Sequence, residues 1–214
     1  MGVSSPIPTV HAIADERVLA GADFLARATA VFDALGGSGA VHLRARNHGR
    51  RVHALAEQLV PVHQRTKCWL VINDRVDVAL SCGAQAVQLP AKSFAINDAR
   101  TLNPSFRIGV SVHNAGEIDT ASRDRADWVI AGSVFETSSH PHTAPKGASW
   151  IGEIARIGPP VIAIGGIVPE NVQRVIEMGA HGVAAIAGIW GEKDPANAAR
   201  RYLESARRTT SKTR

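Results

Sequence analysis

Several things are scarce in this 214-residue chain, and each scarcity closes off a class of protein. It carries two cysteines, and aromatic residues make up 5% of it. Cys68 and Cys82 fall in apolar surroundings and neither begins a Cys-x-x-Cys pair, so a disulfide framework is excluded and a reducing compartment is expected. No stretch of eighteen apolar residues exists to span a bilayer. The first eight residues, Met1 to Pro8, have neither a positively charged region nor an apolar stretch of secretory length. The expectation is a cytoplasmic protein without membrane contact. Charge of one sign is also modest, with 24 Lys and Arg against 19 Asp and Glu. Part of the excess sits in Arg50-Arg51, Arg200-Arg201 and the tail from Arg207 to Arg214. Basic residues are not interleaved with aromatics, and no zinc-finger spacing or helix-turn-helix signature accompanies them, so no nucleic-acid partner is expected. Missing, too, is the glycine fingerprint that a doubly wound dinucleotide-binding sheet would show after its first strand.

Short aliphatic runs are plentiful. Eight of them recur at intervals of roughly 20 to 30 residues, the rhythm of parallel strands joined by crossover helices. They are Thr9–Ile13, Ala40–Arg44, Trp69–Asn73, Ala86–Leu89, Arg107–Val112, Trp128–Ala131, Val161–Ile167 and Gly182–Gly188. Between them lie helical patterns such as Phe24–Phe32, with apolar residues near a 3.6-residue period. Another runs over Pro169–Met178, opening on proline and closing at Gly179, and a last one begins at Pro195. The predicted architecture is α/β, a single (β/α)8 TIM barrel over residues 9–207. Residues 1–8 are expected to be a flexible N-terminal segment and 208–214 a basic, disordered tail. With a hydrophobic fraction of 45%, the core should be mainly aliphatic.

Strand ends converge on one mouth in such a barrel, so the polar residues there are the candidates for chemistry. They are Arg44 and Arg46 after the second run, Asn73 and Asp74 after the third, and Gln88 within the fourth. Ser111, His113 and Asn114 close the fifth, and Ser133 to Ser139 follow the sixth. Structural readings stand beside functional ones: Asp74 suits a helix cap, and His11 and His42 suit packed interior positions. The loop Ser138–Thr143, with His140 and His142, is either a lid or a solvated turn. Gly165-Gly166 and Ala187-Gly188, ending the last two runs, need no side chains to bind an anion, because backbone N–H groups can converge on one phosphate.

Four segments, Val71–Leu80, Gly109–Asn114, Gly132–Thr137 and Val161–Ile167, together resemble the thiamine phosphate synthase superfamily, in order and over nearly the whole chain. The resemblance implies one of two reactions. A synthase joins a pyrimidine diphosphate to a thiazole phosphate with loss of pyrophosphate; a TenI-type tautomerase aromatises thiazole carboxylate phosphate. Val87–Phe94 resembles the TenI branch, since a synthase usually shows a Gly-Gln-Asp arrangement after strand four whose aspartate holds magnesium. No acid occurs between Asp77 and Asp98. Arg44 stands where a synthase usually has lysine, and Phe135-Glu136-Thr137 also leans to TenI. The expected function is therefore a thiazole tautomerase, an isomerase without cofactor. The alternatives are a magnesium-dependent synthase with Asp74 as metal ligand, and a non-catalytic phosphate-ligand sensor.

Ser133 departs from the TenI pattern, which usually has a histidine there, and a serine does not act alone as general base near neutrality. The catalytic candidates are His113, His140 and Ser133. The expected substrate contacts are His42, Arg44, Arg46, Asn73, Gln88, Ser111, Thr137, Ser139, Gly147, Gly165, Gly166, Ala187 and Gly188. By the resemblance, Thr137 and Ser139 hold the carboxylate. The expected partner is a small phosphorylated thiazole, and the resemblance allows a homodimer.

Overall fold

A computed structural model describes residues 6–45, 48–91, 94–137 and 144–207. Eight strands close on themselves, each pairing in parallel with its sequence neighbours and the last with the first. They are β1 (Val10–Ala14), β2 (Gly39–Leu43), β3 (Trp69–Asn73), β4 (Ala86–Leu89), β5 (Arg107–Val112), β6 (Trp128–Ala131), β7 (Val161–Ile164) and β8 (Gly182–Ala185). Valine, isoleucine and alanine dominate them because both faces are covered, one by the lumen and one by helices. Around them run α1 (Glu16–Ala20), α2 (Phe24–Leu35), α3 (Gly49–Thr66), α4 (Val76–Cys82), α5 (Ile96–Leu102), α6 (Ala115–Arg123), α7 (Gly147–Ala155), α8 (Val172–Glu177), α9 (Ala187–Trp190) and α10 (Pro195–Arg207). The short α1 and α9 are additions in the loops after β1 and β8. None of the described helices is long and apolar enough to cross a membrane.

Period-two alternation divides the apolar residues into two cores. The outer one packs the strands against the helices, with Phe24, Phe32, Leu43, Leu70, Ile72, Ile151 and Tyr202 among its members. The inner one fills the lumen with Ile13, Ala40, Trp69, Val71, Trp128, Ile130, Ile162 and Ala184. Trp69 and Trp128 meet edge to face at 6.0 Å, and the Arg107 guanidinium lies 5.6 Å from the Trp69 ring centre. Asp127 ties that end together, accepting from Arg100 and Arg107 and from the backbone N–H of Ile108. One end of the barrel is thus sealed by tryptophan and ion pairs. The site must lie at the other.

Part of the expected N-terminal segment belongs to this body. The carbonyls of Ile7 and Pro8 meet ring nitrogens of His181 and His11, and Pro8 is buried, so the barrel takes in residues ahead of position 9. Residues 1–5 and the tail 208–214 lie outside the described residues. Cys68 and Cys82 are free thiols, and burial pushes both upward in pKa, which disfavours the thiolate.

Candidate active site

At the carboxyl ends of the strands lies a cavity of about 460 Å³, a volume suited to a small organic ligand. Its floor is apolar, formed by Ile13, Ile130, Ile164 and Ala184, inward-facing residues one layer above the tryptophans. Its walls carry Arg44, Asn73, Asp74, Gln88, Ser111, His113, Ser133, Glu136 and Thr137, and its far end carries Gly165, Gly166, Ala187 and Gly188. All eight strands contribute, through residues at their ends or just beyond. Residues 175 positions apart converge because the barrel brings every strand end to one rim.

Backbone geometry builds the β7–β8 end. Gly166 has φ +63°, and a Cβ there would collide with the carbonyl oxygen of Glu136 and the side chain of Phe135. The loop after β6 therefore packs directly on the Gly166 backbone. Asn171 fastens the turn that follows: its Oδ1 accepts from the Val168 N–H at 2.9 Å and its Nδ2 donates to the Gly166 carbonyl at 2.9 Å. On the other side, Tyr202 of α10 donates to the Ile167 carbonyl at 2.7 Å, and a Cβ on Gly188 would strike that same hydroxyl. Burial pushes the Tyr202 phenol up to about 12, so it remains a donor. Gly188 admits the tyrosine, the tyrosine holds Ile167, and Ile167 carries the loop beside α9. The amides of Ala187 and Gly188 open α9 and have no carbonyl one turn earlier within the helix. Both residues line the cavity.

Side chains build the β3–β4 end. Asp74 is not the cap of α4; that position is Arg75, which pairs instead with Asp77. Asp74 takes a left-handed conformation, φ +65°, with its N–H donating to the Gln88 carbonyl at 3.0 Å, and it lines the cavity. β4 ends at Leu89 and leads into Pro90, which also lines the cavity, and no acid follows on that strand. Gln88 is 1% exposed; its Nε2 donates to Ser111 Oγ at 3.3 Å. Among the described residues no three His, Cys, Asp or Glu side chains come together as a metal site.

The structure sorts the sequence candidates. Arg44, Asn73, Gln88, Ser111, His113, Ser133, Thr137, Gly165, Gly166, Ala187 and Gly188 all line the cavity. His42, expected to touch substrate, corrects to an interior position: it is 0% exposed, its ring held between His11 and Asn73, and only Asn73 reaches the cavity. Gly147 is also absent from the cavity wall; it starts α7 with φ +80°. His113 stands at the rim with a 62% exposed side chain, and its Nδ1 lies 3.2 Å from Glu117. Arg46, Ser139 and His140 lie outside the described residues. One titratable residue was passed over: Glu136, quoted in the sequence pattern Phe-Glu-Thr without a role, lines the cavity beside Ser133 and Thr137. Its place in the loop after β6 was the signal that could have found it.

Comparison with known proteins agrees with this architecture. The family model described as thiamine monophosphate synthase matches residues 10–189. A thiamine-phosphate synthase of Methanoregula boonei is 40% identical over 185 residues, covering 85% of each chain. A protein of Aquifex aeolicus called putative thiamine-phosphate synthase 2 is 32% identical over 85% of this chain and 97% of its own. Among solved structures, a thiamine phosphate pyrophosphorylase from Pyrococcus furiosus superposes with a TM-score of 0.82 at 28% identity, over 94% of this chain and 96% of that one. With a family model covering most of the barrel and relatives matched nearly end to end, the chain belongs to the thiamine monophosphate synthase family.

Proposed function

We propose that this chain is an enzyme of thiamine phosphate formation, and that it performs the condensation for which its relatives are named. In that reaction a thiazole phosphate is joined to a pyrimidine carried as its diphosphate, and pyrophosphate leaves. The observation that carries the reading is the division of the cavity between a backbone end and a side-chain end. The thiazole's phosphate is assigned to the amides of Gly166, Ala187 and Gly188, where removal of side chains lets the backbone approach an anion. Thr137 stands beside that end as a neutral hydrogen-bonding group. Arg44, on the cavity wall after β2, supplies a permanent positive charge for the diphosphate.

Magnesium, which the family implies, finds no acid in the segment after β4 to hold it. Mg²⁺ demands an octahedron, filled with one or two carboxylates, water and substrate phosphate. Asp74 and Glu136 are the carboxylates of the described wall, and the segment after β4 offers none, since no acid occurs between Asp77 and Asp98.

That same strand end favours a second reading, the tautomerase. Aromatisation removes a proton from one ring carbon and returns one to an exocyclic carbon, and it needs no second carboxylate for a metal. It needs a group that exchanges protons. His113, Glu136 and Asp74 are the titratable groups of the described wall, while Ser133 contributes only a hydroxyl.

Two assays of the purified protein separate the readings. One follows aromatisation of thiazole carboxylate phosphate; the other follows thiamine phosphate formation from the two half-molecules with and without magnesium. Condensation is the expected outcome. Metal-independent aromatisation without condensation replaces the first reading by the second, and inactivity in both with retained binding makes the protein a phosphate-ligand sensor.

A further inference from the structure

Beneath the cavity floor, a line of hydrogen bonds crosses the lumen from β1 to β3. The Pro8 carbonyl lies 3.1 Å from His11 Nε2, and His11 Nδ1 lies 2.8 Å from His42 Nε2. His42 Nδ1 then lies 3.0 Å from the Asn73 carboxamide, where the atom placed nearest is Oδ1. Both rings are 0% exposed, whereas Asn73 is 7% exposed and lines the cavity. The line therefore runs from the sealed part of the barrel to the ligand space.

Counting protons along it gives a result the distances alone do not. A neutral imidazole has one N–H and one lone pair, so two neutral rings bring two protons to three contacts. A carbonyl can only accept, so His11 must donate to Pro8 from Nε2. His11 Nδ1 is then a lone pair, and His42 must donate to it from Nε2. His42 Nδ1 is left as a lone pair and requires a donor. Within the Asn73 carboxamide only Nδ2 is a donor. With Oδ1 toward His42, acceptors would close both ends of the line and one proton would be lacking. Either two lone pairs would then face each other at 3.0 Å or one buried ring would be an imidazolium. Burial opposes the charge: it holds His42 down to about 4 and His11 well below its ordinary value. Oxygen and nitrogen of a carboxamide are nearly identical in shape, so the network is what distinguishes them.

We propose that this one-way chain from Pro8 holds Asn73 with Nδ2 on His42 and Oδ1 in the cavity, making Asn73 a hydrogen-bond acceptor for an N–H or O–H group of the ligand. His11 and His42 are then positioning residues, acting through Asn73. The cavity wall is divided accordingly. Anionic groups of a ligand go to the glycine end and to Arg44, and a donor such as an exocyclic amine or ring N–H goes to Asn73. This inference stands whichever reaction the cavity carries out.

The test is nitrogen NMR of the ligand-free, ¹⁵N-labelled protein at neutral pH. His11 and His42 are expected as neutral rings protonated on Nε2, with a through-bond coupling from Asn73 Nδ2 to His42 Nδ1. A proton on His42 Nδ1, or an imidazolium at either position, overturns the proposal. Asn73→Asp replaces the donor by an acceptor, so the histidine pair should take up a proton or reverse its tautomers. Unchanged tautomers in a folded variant also overturn it, and should the variant not fold, the native spectrum still decides. The ligand class is tested by titrating 2-aminothiazole against 2-methylthiazole, equal in shape and differing in the donor. The amine is expected to bind about tenfold more tightly and to shift the Asn73 carboxamide signal. Equal affinities, or no response of Asn73 to the amine, overturn the acceptor role.

Discussion

The two ends of the cavity hold their shape by different means. At the β7–β8 end the ligand would meet backbone, and everything around it is arranged to keep side chains away: Gly166 admits the loop after β6, and Gly188 admits the Tyr202 hydroxyl. At the β3–β4 end the wall is Asn73, Asp74 and Gln88, whose positions rest on hydrogen bonds: Asn73 to His42 beneath the floor, Asp74 to the Gln88 carbonyl, and Gln88 to Ser111. A backbone site tolerates almost no substitution at its glycines but says little about the chemistry beside it. A side-chain site changes its chemistry with each residue, and here the segment after β4 brings Pro90 and no acid before Asp98. The β7–β8 end therefore speaks for a phosphorylated ligand, and the β3–β4 end for which reaction follows.

Gly166→Val should have the largest effect. A β-branched residue at φ +63°, pressed against the Glu136 carbonyl, would displace the loop and cost on the order of a hundredfold or more in phosphate-ligand affinity. Calorimetric titration, with circular dichroism to confirm folding, checks it; retained affinity would move the phosphate away from the glycine end.

Next comes pH, which probes the line beneath the β3–β4 end. The His42 imidazole titrates near 6.5 in the unfolded chain and about 4 in the fold, so between these values the unfolded state binds more protons. Stability should be full above about pH 6.5 and fall as pH drops toward 4, by roughly 3 kcal/mol from this ring alone. His11, lowered for the same reason, adds to the loss. Urea unfolding across that range measures it, and a flat profile would mean the rings are not buried neutral.

Asp74→Asn sharpens the comparison directly. Under the condensation reading it should lower activity roughly tenfold or more and weaken any magnesium dependence, whereas aromatisation should change little. Steady-state rates at several magnesium concentrations distinguish the two. Smallest of all should be His113→Gln, because the side chain is 62% exposed and its contact with Glu117 is at the surface. An effect of about twofold or less on kcat/KM is expected; a far larger loss would make His113 the proton carrier of the tautomerase reading.

Much of the barrel was legible because periodicity and burial coincide. The runs Trp69–Asn73, Ala86–Leu89, Arg107–Val112 and Trp128–Ala131 are β3 to β6 residue for residue. The last two runs extend past their strands, since Gly165 and Gly166 turn to positive φ and residues 187–190 coil into α9. Pro169 opens a turn rather than a helix. Asn171 closes that turn with its side chain, which holds the Gly166 carbonyl five residues back, and α8 starts only at Val172. Most of the candidate wall was legible too, because polar residues just after strands share a rim. His42 admitted both an interior and a ligand-contacting reading because its inward direction is common to lumen and mouth, and only the depth of its layer separates them.

By itself the sequence determined the eightfold alternation, the aliphatic cores and the glycines that leave backbone bare, since each follows from local periodicity and the absence of side chains. Only the tertiary structure decided which polar residues share a cavity, that Asp74 faces it instead of capping a helix, and that a buried histidine pair meets the side chain of Asn73 on the cavity wall. Those outcomes depend on contacts between strands some thirty residues apart, where distance and proton count are set by the closure of the barrel.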